Sequence, residues 1–407
     1  MIIREKNMKS LKYLYRIGHG PSSSHTMGPA NAIRFIKKHY QDATSYSVVL
    51  YGSLAFTGRG HLTDKIIVDT ASPIPCEVVF DYKSDVEFPN TLDITIHFAD
   101  KEDVTKRILS LGGGAISITG EEPHDHKDVY QEKTMTEIIE LCKKNNWKLC
   151  DYVYHYEGPE IKEYLKEVWS TMSKSIDRGL ASEGYLPGKL KVLRKAHKFL
   201  VAKHDNESMA SYYNRILSAY AFAVSEENAS GGIIVTAPTC GASGTLPSVI
   251  KYMAERCQSS LDDIVDALAC AGVFGNIVKR NGSISGAEAG CQAEIGTATA
   301  MAAVAACSLR GLPINVMECA AEIAIEHSLG LTCDPVEGYV QIPCIERNGI
   351  SAIKATSACY IAEFVADSQH ISFDQIVKTA LQTGKDINKA YRETAQGGLA
   401  LSYKDKN

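Results

Sequence analysis

Residues 298–307 read ATAMAAVAAC, and residues 319–325 read CAAEIAI. Alanine at this density favours helix and lets neighbouring helices approach closely, because a methyl group is all that stands between the backbones. The two runs sit inside a long region in which apolar residues recur at three-four spacing. Thr134–Asn145, Glu160–Arg178, Ser208–Glu227 and Leu261–Lys279 show it, and so do Gly286–Leu309, Asn315–His327, Ile350–Asp367 and Phe373–Thr383. Convincing strands are absent from this region, which predicts an all-α domain.

Towards the amino terminus the pattern changes. Tyr46–Tyr51, Cys76–Tyr82 and Leu92–Phe98 are β-branched, partly alternating and bounded by Gly, Pro and Asp, and Gly113–Thr119 is a further candidate strand. Ser24–Tyr40 and Lys101–Leu111 carry helical spacing. The expected fold class is therefore α+β: a small N-terminal α/β domain over 1–155, followed by an all-α catalytic domain over 156–407. A hinge is expected between Glu157–Gly158 and Pro187–Gly188. No internal repeat is visible.

Composition narrows the function. The chain has 407 residues, 43 Lys+Arg against 48 Asp+Glu and a net charge of −5. No positive excess points to nucleic acid as a partner. Ile295–Leu309 is uncharged but shorter than the roughly 20 residues of a membrane span, and Pro238 and Pro247 interrupt Asn228–Ile250. The opening MIIREKNMKS has no apolar core of a signal peptide, so a cytoplasmic protein with reduced thiols is expected.

Nine of the twelve cysteines follow residue 230. Cys257, Cys270, Cys307, Cys319 and Cys359 lie within or beside helical patterns and read as small apolar core residues. Cys291, Cys333 and Cys344 instead sit in turns (GCQAE, TCDPV, PCIER). Three thiolates brought together would hold zinc or an iron–sulfur cluster and leave one metal position open, an arrangement suited to catalysis. Their spacing matches neither a CxxC knuckle nor a ferredoxin run.

Five Gly-rich polar segments accompany them: Gly18–Pro29, Tyr51–Asp64, Asn228–Leu246, Asn281–Glu294 and Leu329–Asn348. Glycine lets backbone N–H groups approach a ligand. Ser22, Ser23, Ser24 and Thr26 precede the helical stretch of Ala30, Ile33 and Ile36, where they either cradle a substrate carboxylate or simply cap the helix. Ser285, in another such segment, joins them as a candidate substrate contact. His19 reads as incidental. His124 and His126 read as solvated, Glu288 and Glu294 as supports around Cys291, and Arg392 as a carboxylate contact or an ordinary ion pair.

Together GPSSSHTMGP, LYGSLAFTGRGHLTD, TAPTCGASGTLP, SISGAEAGCQAE, LTCDPVEGYVQIPC and YRETAQGGLA resemble the iron–sulfur-dependent L-serine dehydratases in their single-polypeptide form, from about Ser10 to Leu401. The resemblance implies a β-type domain, like the substrate-effector domains of some phosphoglycerate dehydrogenases, followed by an α-type helical domain. It implies a 4Fe-4S cluster held by Cys291, Cys333 and Cys344, with His61 as general base and His25 in the substrate-binding loop. It further implies a lyase converting L-serine to pyruvate and ammonia in amino-acid catabolism and gluconeogenesis, working as a homodimer. Two departures stand out. Cys240 occupies a place where many members carry Asn, and the chain ends LSYKDKN without the C-terminal Cys that caps the cluster in some members. L-threonine or L-cysteine as substrate, a non-catalytic amino-acid sensor retaining the cluster, and a pyridoxal-phosphate lyase are the competing readings.

The chemistry suits these residue types. Loss of water from serine needs a base for a weakly acidic Cα–H and an electrophile for a poor leaving group. Neutral imidazole and an open metal position supply them.

Overall fold

A computed structural model describes residues 8–121 and 128–404. His124 and His126 lie outside the described residues. The N-terminal part holds a five-stranded sheet made of β2 (Ser45–Leu50), β3 (Cys76–Phe80), β4 (Thr91–His97), β5 (Val104–Gly112) and β6 (Ala115–Ile118), in the order β3-β2-β4-β5-β6. β1 (Ile17–His19) lies elsewhere. β2 and β3 are parallel and the other pairs antiparallel, with Val48 opposite Val78 on one side and Ile94 on the other.

Alternation decides which face is covered. Tyr46, Val48 and Leu50 turn inward with Leu92, Ile94 and Ile96. They meet Ile33 and Ile36 of α1 (Gly28–His39) and Ile67 and Ala71 of α3 (Thr63–Ala71). α2 (Gly52–Phe56) closes the β2 end. The opposite face stays wet, as expected of a sheet with helices on one side.

The expected helix over Lys101–Leu111 is instead strand β5. Its VTKRILSLG sequence alternates, and Ile108 is fully buried while Arg107 reaches out to Asp93. Period two wins because the neighbouring strand β4 offers a ladder and an apolar face.

The remainder is helical: α4 (Met135–Asn145), α5 (Leu149–Glu157), α6 (Glu160–Ala181), α7 (Ala196–Val201), α8 (Met209–Ala229), α9 (Thr245–Cys257), α10 (Leu261–Asn281), α11 (Gly286–Ala289), α12 (Thr297–Leu309), α13 (Ile314–Glu326), α14 (Cys344–Val365), α15 (Phe373–Asp386) and α16 (Gly398–Lys404). The alanine-rich α12 is the central post, packed against α9, α10, α13 and α14. It is buried on every face except at Ser308, as a helix enclosed by others must be. No helix among the described residues is long and apolar enough to cross a membrane.

Three further expectations are corrected. The proposed hinge contains α6, a 22-residue helix whose Ile161, Leu165, Val168, Met172 and Ile176 join the helical core. Gly286–Leu309 is not one helix. Gly290 adopts a left-handed φ of 72°, and a π-helical turn over Gln292–Gly296 leads into α12. A Cβ on Gly290 would stand 2.8 Å from the Leu331 carbonyl, so the break needs glycine. Strands are also not confined to the N-terminal part. β7 (Ile233–Val235) pairs antiparallel with β1, Ile17 opposite Val235.

The two apolar cores do not divide the chain at one point. Residues 32–118 form the sheet core, whereas Met8, Leu11, Leu14 and Tyr130, with the faces of α4 and α5, belong to the helical core. The Tyr15 hydroxyl donates to the Leu268 carbonyl at 2.9 Å, and Thr236 Oγ1 donates to the Leu14 carbonyl at 2.6 Å. This arm carries the Gly18–Pro29 loop into the helical part and sets it beside residues 231–241.

Candidate active site

One cavity is lined from six distant segments: Ser22 from the first Gly-rich loop, His61 from the second, Gly241, then Cys291 and Glu294, Cys333 and Cys344, and finally Glu393. Each arrives by a local rule. The Gly290 break turns Cys291 inward ahead of the π-helical turn, a local widening often found at functional sites. Cys344 is the first residue of α14, where the positive end of the helix favours a thiolate. Cys333 lies in extended chain bridged to Arg392: its N–H donates to the Tyr391 carbonyl, and the Glu393 N–H donates to the Cys333 carbonyl, both at 2.8 Å. That bridge brings the Glu393 carboxyl into the cavity, with its backbone in the left-handed region at φ 57°.

The Sγ atoms of Cys291 and Cys333 and a carboxylate oxygen of Glu294 lie within 4.8 Å of one another. All twelve thiols are free. The Cys333 thiol is held well above its ordinary pKa, first by its hydrogen bond to Cys291 and then by burial. Burial, reinforced by Cys291, pushes up the Cys344 thiol. Cys333 and Cys344, whose pKa values Cys291 helps to raise, are relieved by a cation that takes them as thiolates. The donors are soft and sulfur-rich: Cys291 and Cys333 stand together with Glu294, Cys344 lines the same cavity outside that group, and their chemistry suits a metal cluster. Arg347, one helical turn into α14, contributes a half-buried positive charge. It bonds the Thr332 carbonyl at 2.5 Å and Asp334 at 3.0 Å, and it contacts Cys291.

His61 is buried. Its Nδ1–H donates to the Thr57 carbonyl at 2.9 Å, which leaves Nε2 as the lone-pair nitrogen. His25 stacks on it with ring centroids 4.3 Å apart. The His25 ring bonds on both sides, Nδ1 to Ser24 Oγ at 3.0 Å and Nε2 to Thr57 Oγ1 at 2.8 Å. Burial lowers the His61 pKa to about 4, and burial together with His61 drives His25 well below its usual value. The 4.0 Å approach of His25 Nδ1 to Glu393 is therefore not an ion pair.

The hydroxyl candidates separate. Ser22 lines the cavity and also accepts the His25 N–H, so it caps the π-helical turn over Ser23–Met27. Ser23, Ser24, Thr26 and Ser285 do not line the cavity. Ser24 holds His25, and Thr26 Oγ1 donates to the Ser22 and His19 carbonyls. Ser285 precedes α11, and its N–H donates to Ser283 Oγ. Arg392 donates to the Glu288 carbonyl at 3.1 Å rather than to a carboxylate. Glu288 accepts from Ser283 Oγ at 2.6 Å. Cys240 is buried behind the wall, and Gly241 lines the cavity in its place.

Residue-by-residue reading missed Glu393 and Arg347. Their signals were present, Glu393 beside Arg392 in YRET and Arg347 three residues after Cys344, but charged residues in polar loops are ordinarily solvated.

The comparisons with known proteins agree with this architecture. Residues 100–400 match the family described as serine dehydratase alpha chain, and residues 10–70 match serine dehydratase beta chain. The chain belongs to the serine dehydratase family. L-serine dehydratase 1 of Escherichia coli is 38% identical, with 97% of this chain and 99% of the relative aligned. L-serine dehydratase of Haemophilus influenzae is 37% identical over 97% and 99%, and that of Streptomyces coelicolor 37% identical over 96% and 98%. The beta-then-alpha order of this serine dehydratase family chain follows the order in which its sheet and helical cores appear.

Neutral buried histidines carry a stability consequence. Below the unfolded value of about 6.5 the unfolded chain binds a proton that folded His61 refuses until about pH 4. This contribution is fully present above pH 6.5 and is lost as pH falls towards 4, by about 3 kcal/mol. Denaturant melts of wild type and His61→Asn at pH 7 and pH 5 are expected to show a smaller acid loss in the variant. An equal loss in both would refute the buried neutral state.

Proposed function

We propose that the chain is an L-serine dehydratase that converts L-serine to pyruvate and ammonia, with Cys291, Cys333 and Cys344 holding a 4Fe-4S cluster and His61 acting as general base. The observation that carries this is a single cavity lined by all three cysteines and by His61, in a chain whose aligned relatives are named L-serine dehydratases. When bound, the cluster supplies an open iron as Lewis acid for the β-hydroxyl.

The chain's own residues do the rest. The Thr57 carbonyl fixes the His61 tautomer, so that Nε2 is the atom that takes the Cα proton. Burial makes His61 a weak base but keeps it neutral over the working range. Glu393, with a carboxyl oxygen within 4.8 Å of a ring nitrogen of His61, is close enough to stabilise the imidazolium as it forms. The proton leaves with the hydroxyl as water, and the aminoacrylate so released takes up water to give pyruvate and ammonia. Ser22, which lines the cavity, is assigned the substrate carboxylate.

Burial, then Glu294 and Cys291, hold the Glu393 carboxyl well above the usual carboxylate range; it is assigned the substrate ammonium, whose positive charge draws it to the carboxylate form, while Glu294 accepts from Thr239 Oγ1 at 2.7 Å. Loss of one charge-assisted hydrogen bond costs about 1.5–3 kcal/mol. Glu393→Gln is therefore expected to raise KM for L-serine by roughly 10- to 100-fold with iron content unchanged. An unaltered KM would place the ammonium elsewhere.

Twelve free thiols suit a reducing cytoplasm. Phe364, 84% exposed beside Ile361 and Val365 at the end of α14, supports a homodimer. The function is tested by assaying pyruvate from L-serine with anaerobically purified protein, with L-threonine and L-cysteine as competitors. Preferred turnover of a competitor, or none at all with a full complement of iron, would overturn it.

A further inference from the structure

A second cleft, of about 850 Å3, opens between α1, α3 and the Ser230–Gly231 turn of the helical part. Its size falls within the roughly 300–1,000 Å3 of small-molecule sites. Arg34, Lys37 and Lys38 of α1 and Lys65 of α3 line it, together with His19, and Asp69 is the one carboxylate in its wall. This excess of cations belongs to a chain whose net charge is −5.

Arg34 and Lys38 stand one helical turn apart, so like charges share a face and repel. Lys37 is anchored, its Nζ donating to the Thr70 and Ser72 carbonyls at 3.1 and 2.7 Å. Arg34 donates to Asn31 Oδ1 at 2.8 Å. Among the described residues no carboxylate forms an ion pair with Arg34, Lys38 or Lys65. Four cations around a cavity of ligand size, against one carboxylate in the wall that pairs with none of them, are an anion site.

We propose that this cleft binds a small multiply charged anion, a phosphate ester or a polycarboxylate, distinct from the substrate. L-Serine, a zwitterion with a single carboxylate, does not match such a charge excess. The cleft also touches the candidate active site through the chain. Thr26 and Leu62 line it and directly follow His25 and His61. Leu62, in the left-handed region at φ 59°, is the cap from which α3 starts. An anion drawing α1 and α3 together acts on the wall that carries both imidazoles, so its occupancy shifts KM for L-serine. The binding claim rests on the cleft alone and holds whichever substrate the cavity takes.

The test is calorimetric titration of the full-length protein with pyrophosphate and, separately, citrate, at constant ionic strength and with potassium chloride as control. Saturable binding of either is expected, and it should weaken by at least about tenfold in the Lys38→Glu/Lys65→Glu double variant. Both lysines are on the surface, and an unchanged circular dichroism spectrum confirms that the variant is folded. Pyrophosphate binding alone assigns a phosphate ester, and citrate binding alone a polycarboxylate. Heats no different from chloride, or equal affinity in the folded double variant, would overturn the proposal.

Discussion

Cys333→Ala protein purified without oxygen is expected to contain little iron or acid-labile sulfide, and to form pyruvate from L-serine more than about 100-fold more slowly than wild type. That figure is the upper end of what loss of a mere outer-shell partner costs. The reason is positional. Cys333 joins Cys291 to the C-terminal segment: its thiol lies within 4.8 Å of the Cys291 thiol, while its backbone bonds Tyr391 and Glu393. The substitution removes one of three thiolates and leaves the backbone bridge intact. Iron and sulfide should therefore fall while the helical circular dichroism persists. Iron and sulfide equal to wild type would show that these three sulfurs do not hold the cluster. Cys240→Ala is the matching control: Gly241, not Cys240, faces the cavity, so iron content should stay close to wild type.

The second large effect is expected at His61. A general base contributes about 10²- to 10⁴-fold, so His61→Asn should lower kcat by that factor, with iron content and KM little altered. The pH profile separates a base from a structural residue. Because burial holds the His61 pKa near 4, kcat/KM of wild type should stay level from neutral pH down to about pH 5 and fall only as pH 4 is approached. A base of ordinary pKa would bring that limb to about 6.5. His25→Asn is expected to act more weakly, since both nitrogens of that ring already bond Ser24 and Thr57. Equal kcat losses in the two variants, or an acid limb that survives in His61→Asn, would remove His61 from the role of base.

Much of the helical part was legible because packing periodicity is a local property. α8, α10, α13 and α15 fall within a few residues of their apolar patterns, and the alanine run is the enclosed α12. The cysteines could also be sorted by surroundings. Those in helical patterns are mostly buried in the helical core, and those in Gly- or Pro-rich turns line the cavity. What misled was local pattern without its partner. Lys101–Leu111 has enough apolar residues for either period, and only β4 alongside selects the strand.

Composition, helix periodicity and motif content dictated an α+β chain with three candidate thiols and a histidine loop, because each is written in residues near one another along the chain. Distance in space is not. The pairing of β1 with β7 sets the serine loop against residues 231–241. The bridge between Cys333 and Arg392 folds Glu393 into the cavity, and the left-handed Gly290 turns Cys291 towards Cys333. These contacts join segments tens to hundreds of residues apart, and their energies depend on the whole packed core. Which carboxylates face the thiols, and which hydroxyls merely hold the loop, became visible only once the chain had closed on itself.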